Sequence, residues 1–394
     1  MPPASASPVP AEEHAAGARQ AFTVPEEAGA VDVVRGLLLG EYGDGPDRLE
    51  FRTRFAQTAS ALRAKSVEDT AFYRYVPLLS ATEVGGNPGR PAVSPEEFHA
   101  YCARVQRDWP VTGTVVSTHD TKRSADVRAA LTVLTECPER WSEVLGEVRR
   151  ADTGAPDGQL AWAAWQTVFG LGPADPERVR AALLKHVREA GMYTSWTEQE
   201  PPYEDAVAAF VAAGPCGAPG ERMAALRREL EPHIRANLLG VALVHLTMPG
   251  VPDVYQGTEA ECRTLVDPDN RRPVRFPPED PGDKGAVTAA ALRLRARRPE
   301  VFGEAATYAP LAAEGSAADH VLAFSRSGEV VTAVTRLSLR LAEAGGWRGT
   351  RLALPPGRWA DTLTPGREFS GHAPVEELFE PLPVALLERV RDGD

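Results

Sequence analysis

The sequence predicts an α/β chain in which a mostly helical region that follows a strand precedes a small antiparallel β domain. The first observation is the segment 113–123, where β-branched residues indicate a buried strand that ends on polar side chains. The second is the mostly helical stretch 122–240. The third is the change after Pro299 to short β-rich runs that glycine and proline separate, which is typical of an antiparallel sheet.

The composition limits the class of protein and its partners. The chain has 394 residues, 43% of them hydrophobic, which is enough for two or three domains with a real core. Its net charge of -12 argues against nucleic acid and anionic membrane surfaces as partners. We find no run of 18 apolar residues, no signal-peptide pattern and no metal-type spacing of the four cysteines. We therefore expect a cytoplasmic protein with reduced thiols.

Local patterns predict the elements in chain order. Residues 1–30 are rich in Ala, Pro, Ser and Glu and predict a disordered lead-in. A helix is expected over residues 48–64. Ser94 and Glu97 have the spacing of a capping box that begins another helix. Asp175, followed by proline, predicts a further helix start.

The polar end of the central strand is the first candidate site. Ser117, Thr118, His119 and Asp120 follow the strand directly, and in an eight-fold α/β barrel the carboxyl ends of the strands hold the chemistry. The alternative is that an aspartate or threonine here only caps the helix predicted after Ser124. The segment alone does not distinguish these interpretations.

Four other polar segments have two interpretations each. Segment 64–75 is either a ligand-binding helix or a charged surface helix, and Trp196 is either a sugar-stacking residue or a core residue. Loop 247–259, with its Pro and Gly residues, either presents polar groups to a ligand or is only a rigid structural loop. Loop 265–274 either binds sugar hydroxyls or is held by salt bridges. The glycine-rich loop 83–89 lacks the context of a phosphate-binding loop.

These segments resemble the maltooligosyl trehalose synthases of the alpha-amylase clan of glycoside hydrolases. The sequence Ser-Thr-His-Asp-Thr-Lys-Arg-Ser at 117–124 matches the family pattern, as do segments 64–75 and 265–274. The chain departs from the pattern at a few positions, with Ala125 for the usual Glu, Ser66 for Gly, Tyr193 for His and different wording over 260–264.

The resemblance implies the second half of a (β/α)8 TIM-type barrel with a large helical insertion, over residues 31–300, and a C-terminal β-sandwich-like domain over 301–394. In that family a His-Asp pair ends the seventh barrel strand, which places Asp120 there. The nucleophile and the general acid/base come from strands four and five. We find neither in residues 1–64, so we expect them on sequence not present here and expect the chain to be inactive alone.

The implied function is the C-terminal part of a maltooligosyl trehalose synthase, acting in trehalose biosynthesis. This enzyme turns the reducing-end α-1,4 bond of a maltooligosaccharide into an α,α-1,1 bond, with no metal or organic cofactor. The expected partners are the maltooligosaccharide and a separate N-terminal half. The alternatives are a catalytically inactive glucan-binding chain and an amylase-type hydrolase. Asp120 is the predicted catalytic residue, and the predicted substrate-binding residues are His119, Lys122, Arg123, Lys65, Glu68, Asp69, Tyr73, Trp196, Tyr255, Gln256, Asp267, Asp269, Asn270 and Arg271.

Overall fold

The computed structural model describes residues 11–20, 22–151, 153–173, 175–274, 276 and 281–391. The chain divides into two compact units between Phe72 and Tyr73. A three-residue helix, α4 (Phe72–Arg74), lies at this division. No helix in these described ranges has the length and apolar run needed to cross a membrane.

The first unit is helical. The predicted helix over 48–64 is confirmed, and the structure also forms helices over 11–20 and 25–39, where the sequence predicts a disordered lead-in up to residue 30. The physical reason is that the alanine and glutamate of this segment are strong helix formers. Residues 1–10 lie outside the described residues. The elements are α1 (Ala11–Gln20), α2 (Pro25–Leu39), α3 (Pro46–Arg63) and a π-helix (Ala64–Ala71).

The second unit begins with packed helices. Both predicted starts are confirmed: Ser94 and Glu97 form a capping box, and Asp175 caps the helix that begins at Pro176. The helices are α5 (Pro95–Asp108), α6 (Ala125–Thr132), α7 (Pro138–Arg150), α8 (Gly158–Leu171), α9 (Pro176–Ala190), α10 (Pro201–Ala213), α11 (Gly220–Thr247), α12 (Gly282–Arg297) and α13 (Pro299–Phe302), with 3-10 turns at Val133–Glu136 and Asp269–Arg271.

Helix α6 is the buried centre of this helical region, where it packs against α8 and α11. Val127 and Leu131 of α6 are fully buried. At Gly170 of α8 an added Cβ would lie 2.9 Å from Cγ1 of Val127, so only glycine permits this close approach of the two helices. The packing fixes α6, and with it the polar segment that precedes α6 in the chain.

Two short parallel strands lie beside α11. Strand β1 (Gly113–Val115) pairs with β2 (Val251–Asp253), with Gly113 opposite Val251. The predicted strand is therefore confirmed, but its predicted burial is wrong, because Val115 is 51% exposed. Each strand has one partner among the described residues, so its other edge and much of its surface face solvent.

The predicted antiparallel β domain is confirmed as one curled, seven-stranded sheet. The strand order is β3-β5-β6-β9-β7-β4, and β8 pairs with β7. The 301 boundary of this domain stays a prediction. The strands are β3 (Tyr308–Leu311), β4 (Ala313–Glu314), β5 (Val321–Arg326), β6 (Val330–Thr335), β7 (Arg351–Asp361), β8 (Glu368–Pro374) and β9 (Val384–Arg389), accompanied by a 3-10 turn (Ala318–His320), α14 (Ser338–Glu343) and α15 (Val375–Leu378).

Candidate active site

The segment after β1 forms a turn that the hydroxyl of Thr118 stabilises. Its Oγ1 accepts the backbone N–H groups of Asp120 at 3.0 Å and Thr121 at 3.1 Å. Thr121 Oγ1 in turn donates to the Thr118 carbonyl at 2.9 Å. His119 and Asp120 are exposed at the tip of this structure, which we call the His-Asp turn (residues 117–121). The turn thus presents an imidazole and a carboxylate side by side.

Neither an aspartate nor a threonine caps the helix that follows. Ser124 is the N-cap of α6, since its Oγ accepts the N–H of Val127 at 3.4 Å. Within the described part of the chain, the carboxylate of Asp120 has no hydrogen bond or ion pair to another residue. The capping interpretation is therefore wrong for Asp120, and its carboxylate is available to a ligand.

A buried glutamate holds the chain directly after the turn. Glu83 is 4% exposed, and its carboxylate accepts the backbone N–H of Lys122 at 2.7 Å and that of Arg123 at 2.9 Å. Sequence reasoning noted the glycine-rich loop 83–89 but assigned no role to Glu83. The sequence contains a signal for such a role, because Glu83 is an acidic residue directly before a Val-Gly-Gly loop.

Two of the predicted sugar-binding residues lie beneath the turn instead of at its surface. Arg123 is 5% exposed, and its guanidinium donates to the carbonyl of Leu79 at 3.1 Å. Lys122 is 3% exposed, and its Nζ lies 4.8 Å from the centroid of the Tyr73 ring, which is itself buried. Lys122, Arg123 and Tyr73 are thus buried in this structure, and their sugar contacts stay predictions.

Two loops converge on the His-Asp turn. Asn270 Nδ2 donates to the carbonyls of Thr118 at 3.2 Å and His119 at 2.9 Å. Tyr255 OH donates to the carbonyl of Asn270 at 3.4 Å. Gln256 and Arg271 are exposed on these same loops. The structure thereby brings Asn270 to the turn and Tyr255 to Asn270, while the sugar contacts of Tyr255, Gln256, Asn270 and Arg271 stay predictions.

The aspartates of loop 265–274 are held by salt bridges. Arg178 binds Asp269 through two contacts of 2.6 and 2.8 Å, and the N–H of Leu265 donates to the same carboxylate at 2.8 Å. Lys185 Nζ contacts Asp267 Oδ1 at 2.5 Å. The salt-bridge interpretation applies to both aspartates. The Asp269 carboxylate is buried and accepts three hydrogen bonds, and its sugar contact stays a prediction.

Lys65, Glu68 and Asp69 belong to the first unit. They lie in the π-helix, where Lys65 Nζ and Asp69 Oδ2 are 2.5 Å apart. Thr70 Oγ1 donates to the carbonyl of Lys65 at 2.9 Å, five positions earlier, as the wider helix requires. Ser66 has no positive φ, so its replacement of glycine causes no backbone strain. The sugar contacts of these three residues stay predictions.

Trp196 lies in the connection between α9 and α10. Its side chain is 51% exposed, and the contacts of the described residues do not join it to the His-Asp turn. The interpretation as a core residue is therefore wrong for Trp196.

The turn offers one carboxylate and one imidazole, which can hold sugar hydroxyls and stabilise positive charge at an anomeric carbon. A retaining glycosyl transfer needs a nucleophile and a general acid/base in addition. Over the described ranges, no group of His, Cys, Asp and Glu side chains has an arrangement that could hold a metal ion.

Comparison with known proteins identifies relatives of one kind. No family model matches the chain. It is 44% identical over 354 residues to proteins named putative maltooligosyl trehalose synthase from two strains of Mycobacterium tuberculosis, CDC 1551 / Oshkosh and H37Rv. These matches cover 86% of this chain and 45% of each relative. The chain thus spans about half the length of the curated relatives it matches.

Solved structures agree with these relatives. The maltooligosyltrehalose synthase from Arthrobacter ramosus superposes with a TM-score of 0.87 at 40% identity, covering 96% of this chain and 51% of that one. A hypothetical maltooligosyl trehalose synthase from Sulfolobus tokodaii gives a TM-score of 0.74 at 25% identity, covering 87% of this chain and 47% of that one.

Proposed function

We propose that the chain supplies the C-terminal part of a maltooligosyl trehalose synthase, because it is 44% identical to proteins of that name over about half of their length and superposes on about half of the Arthrobacter ramosus enzyme. The proposed reaction is an intramolecular transglucosylation. The terminal α-1,4 bond at the reducing end of a maltooligosaccharide breaks, and the glucose released receives the glycosyl group on its 1-hydroxyl. The product carries an α,α-1,1 bond in place of the reducing end.

One observation carries the proposal: loops from three parts of the chain meet at the His-Asp turn. Glu83 bonds to the backbone directly after the turn, and Asn270 bonds to the carbonyls of Thr118 and His119. Burying the Glu83 carboxylate costs free energy of desolvation, and its hydrogen bonds fix the backbone next to the exposed Asp120. Such support is what a preorganised catalytic group requires.

In this proposal Asp120 stabilises the positively charged transition state and His119 binds a sugar hydroxyl. Tyr255, Gln256 and Arg271 line the surrounding subsites. Strands β1 and β2 are the seventh and eighth strands of a (β/α)8 barrel, an assignment that their parallel pairing supports. The nucleophile and the general acid/base then come from polypeptide that corresponds to the other half of the relatives, and the chain is inactive without it.

The test is turnover of maltopentaose by the purified chain, alone and mixed with a separately expressed first half of a relative. We expect loss of reducing ends without release of glucose, in the mixture only. Asp120→Asn should abolish this conversion while the variant stays folded, because the Asp120 carboxylate makes no hydrogen bond or ion pair with the described residues. Conversion by the chain alone would overturn the proposed division of catalytic groups. Net glucose release would favour a hydrolase.

A further inference from the structure

The connection between α9 and α10 displays two exposed aromatic rings. Tyr193 is 54% exposed and Trp196 is 51% exposed. They lie three positions apart on the segment 192–198, which has no regular secondary structure. Two exposed aromatic rings on so short a segment are candidates for contact with a ligand.

Each ring packs against one protein group and is about half exposed. Tyr193 stacks on Tyr203 with ring centroids 5.1 Å apart, and the Tyr203 hydroxyl donates to Asp157 at 2.5 Å. The guanidinium of Arg188 lies 5.1 Å from the centroid of the Trp196 ring. Both backing groups are anchored, because Arg188 is itself held by Glu204 through contacts of 2.8 and 2.6 Å.

Hydrogen bonds fix the backbone that carries the rings. Thr194 Oγ1 donates to Glu204 at 2.8 Å and accepts the N–H of Glu200 at 3.1 Å. The N–H of Ser195 donates to the carbonyl of Glu198 at 2.9 Å, and Ser195 Oγ accepts the N–H of Glu198 at 2.9 Å. The rings are therefore ordered before any ligand arrives, so binding loses little conformational entropy.

We propose that Tyr193 and Trp196 form a second glucan-binding surface, separate from the His-Asp turn, which we call the aromatic platform. The apolar C–H face of a glucose unit packs on an open aromatic ring, and flanking polar groups bind its hydroxyls. Beside Tyr193, a small cleft is lined also by the polar side chains of Asp157 and Gln159. The platform rests on the proposed function for its ligand, an α-1,4-linked glucan. It retains a long substrate while the reducing end is processed elsewhere.

The test is calorimetric titration of the intact chain with maltoheptaose. Tyr193→Ala and Trp196→Ala should each weaken binding about three- to tenfold, and the double variant more than either. Trp196→Phe should retain most of the affinity, because it keeps an aromatic face. Trp109→Ala is the matched control, since Trp109 is 50% exposed but lies at the end of α5. The Trp109 variant should bind as the unchanged chain does.

The outcomes separate the platform from the proposed activity. Affinity lost with the double platform variant but kept with Asp120→Asn supports the platform, whether or not the mixture turns over substrate. If the double variant binds maltoheptaose as tightly as the unaltered chain does, the platform proposal is wrong, even when the α,α-1,1-linked product forms. Absence of maltoheptaose binding by the unchanged chain also overturns it. Unfolding curves of each variant show whether any loss of affinity comes from misfolding.

Discussion

Glu83 and Arg123 hold each other's segments in place. Glu83 Oε2 accepts the backbone N–H of Arg123 at 2.9 Å, while the Arg123 guanidinium donates to the carbonyl of Leu79, four positions before Glu83. Both side chains are buried. This reciprocal arrangement joins the segment 79–84 to the chain that leaves the His-Asp turn, so disturbing either residue should disturb both segments.

Glu83→Gln should destabilise the second unit. The amide nitrogen of glutamine would face a backbone N–H that now donates to a carboxylate oxygen, so one buried donor would lose its acceptor. We expect a loss of about 1–3 kcal/mol in the free energy of unfolding, measured by urea titration. Glu376→Gln is the control, since Glu376 is exposed, and should change stability by no more than about 0.5 kcal/mol. Equal stability of the two variants would contradict the role assigned to Glu83.

Asn270→Asp should loosen the His-Asp turn. A carboxylate cannot donate to the carbonyls of Thr118 and His119, and its charge would repel them. We expect amide hydrogen exchange in the peptide 117–123 to become about tenfold faster. Asn237→Asp, which removes a longer bond to Ala129 of α6, is the comparison and should leave this peptide unchanged. An unchanged exchange rate in Asn270→Asp would show that other contacts hold the turn.

The buried pair of Lys284 and Asp126 should be costly to break. Nζ of Lys284 lies 2.8 Å from both carboxylate oxygens of Asp126, and both side chains are less than a tenth exposed. Burial raises the pKa of Asp126, and Lys284 opposes that shift. Lys284→Met alone should lower the free energy of unfolding by about 3–5 kcal/mol, because it leaves a buried carboxylate without its partner.

The same pair offers a double-mutant cycle. Asp126→Asn combined with Lys284→Met removes both charges and should be more stable than Lys284→Met alone. The backbone N–H of Cys262, which donates to Asp126 at 2.7 Å, keeps an acceptor in that variant. A double variant as unstable as the sum of both single variants would show that the two residues act independently.

His186 should make the stability of the second unit fall in mild acid. Burial, with a smaller contribution from the charge of Arg123, lowers the pKa of His186 from 6.5 to about 3. The unfolded chain therefore binds a proton at higher pH than the folded chain does. The stability that this histidine contributes is complete above its unfolded pKa and is lost as the pH falls toward the folded value, by at most about 1.4 kcal/mol per pH unit.

The measurement is the free energy of unfolding between about pH 7 and pH 4. His186→Phe, which keeps a ring against Tyr73, should show a shallower decline than the unchanged chain. His372→Gln, at an exposed position, should follow the unchanged chain. Parallel curves for the unchanged chain and His186→Phe would show that this histidine does not control the acid response.

Local chemistry explains which features the sequence could predict. Ser94 with Glu97 and Asp175 act through hydrogen bonds to residues two or three positions away, so their spacing alone predicts the helix starts. The His-Asp turn was likewise found from its position after a β-branched run. The hydrogen bonds of Asn270 to this turn could not be predicted in this way, because the two are 151 positions apart in the chain.

Burial depends on distant contacts and could not be read from the same segments. Lys122 and Arg123 belong to a polar stretch of sequence, yet their backbone N–H groups donate to the buried Glu83 of another loop. Val115 has the residue type of a buried strand, but its exposure is set by how many strands pair with β1. The sequence around Asp269 is typical of a ligand-binding loop, but it does not reveal the ion pair with Arg178 of α9.

The pairing of β1 with β2 also has a kinetic consequence. Thr114 and Val251 are 137 positions apart, and α6 to α11 fold between them. Contacts of such long sequence separation close slowly, because a large loop must be ordered before they form. We therefore expect the helical region to fold first and the His-Asp turn to become ordered last. Partly folded chains would then lack a formed site.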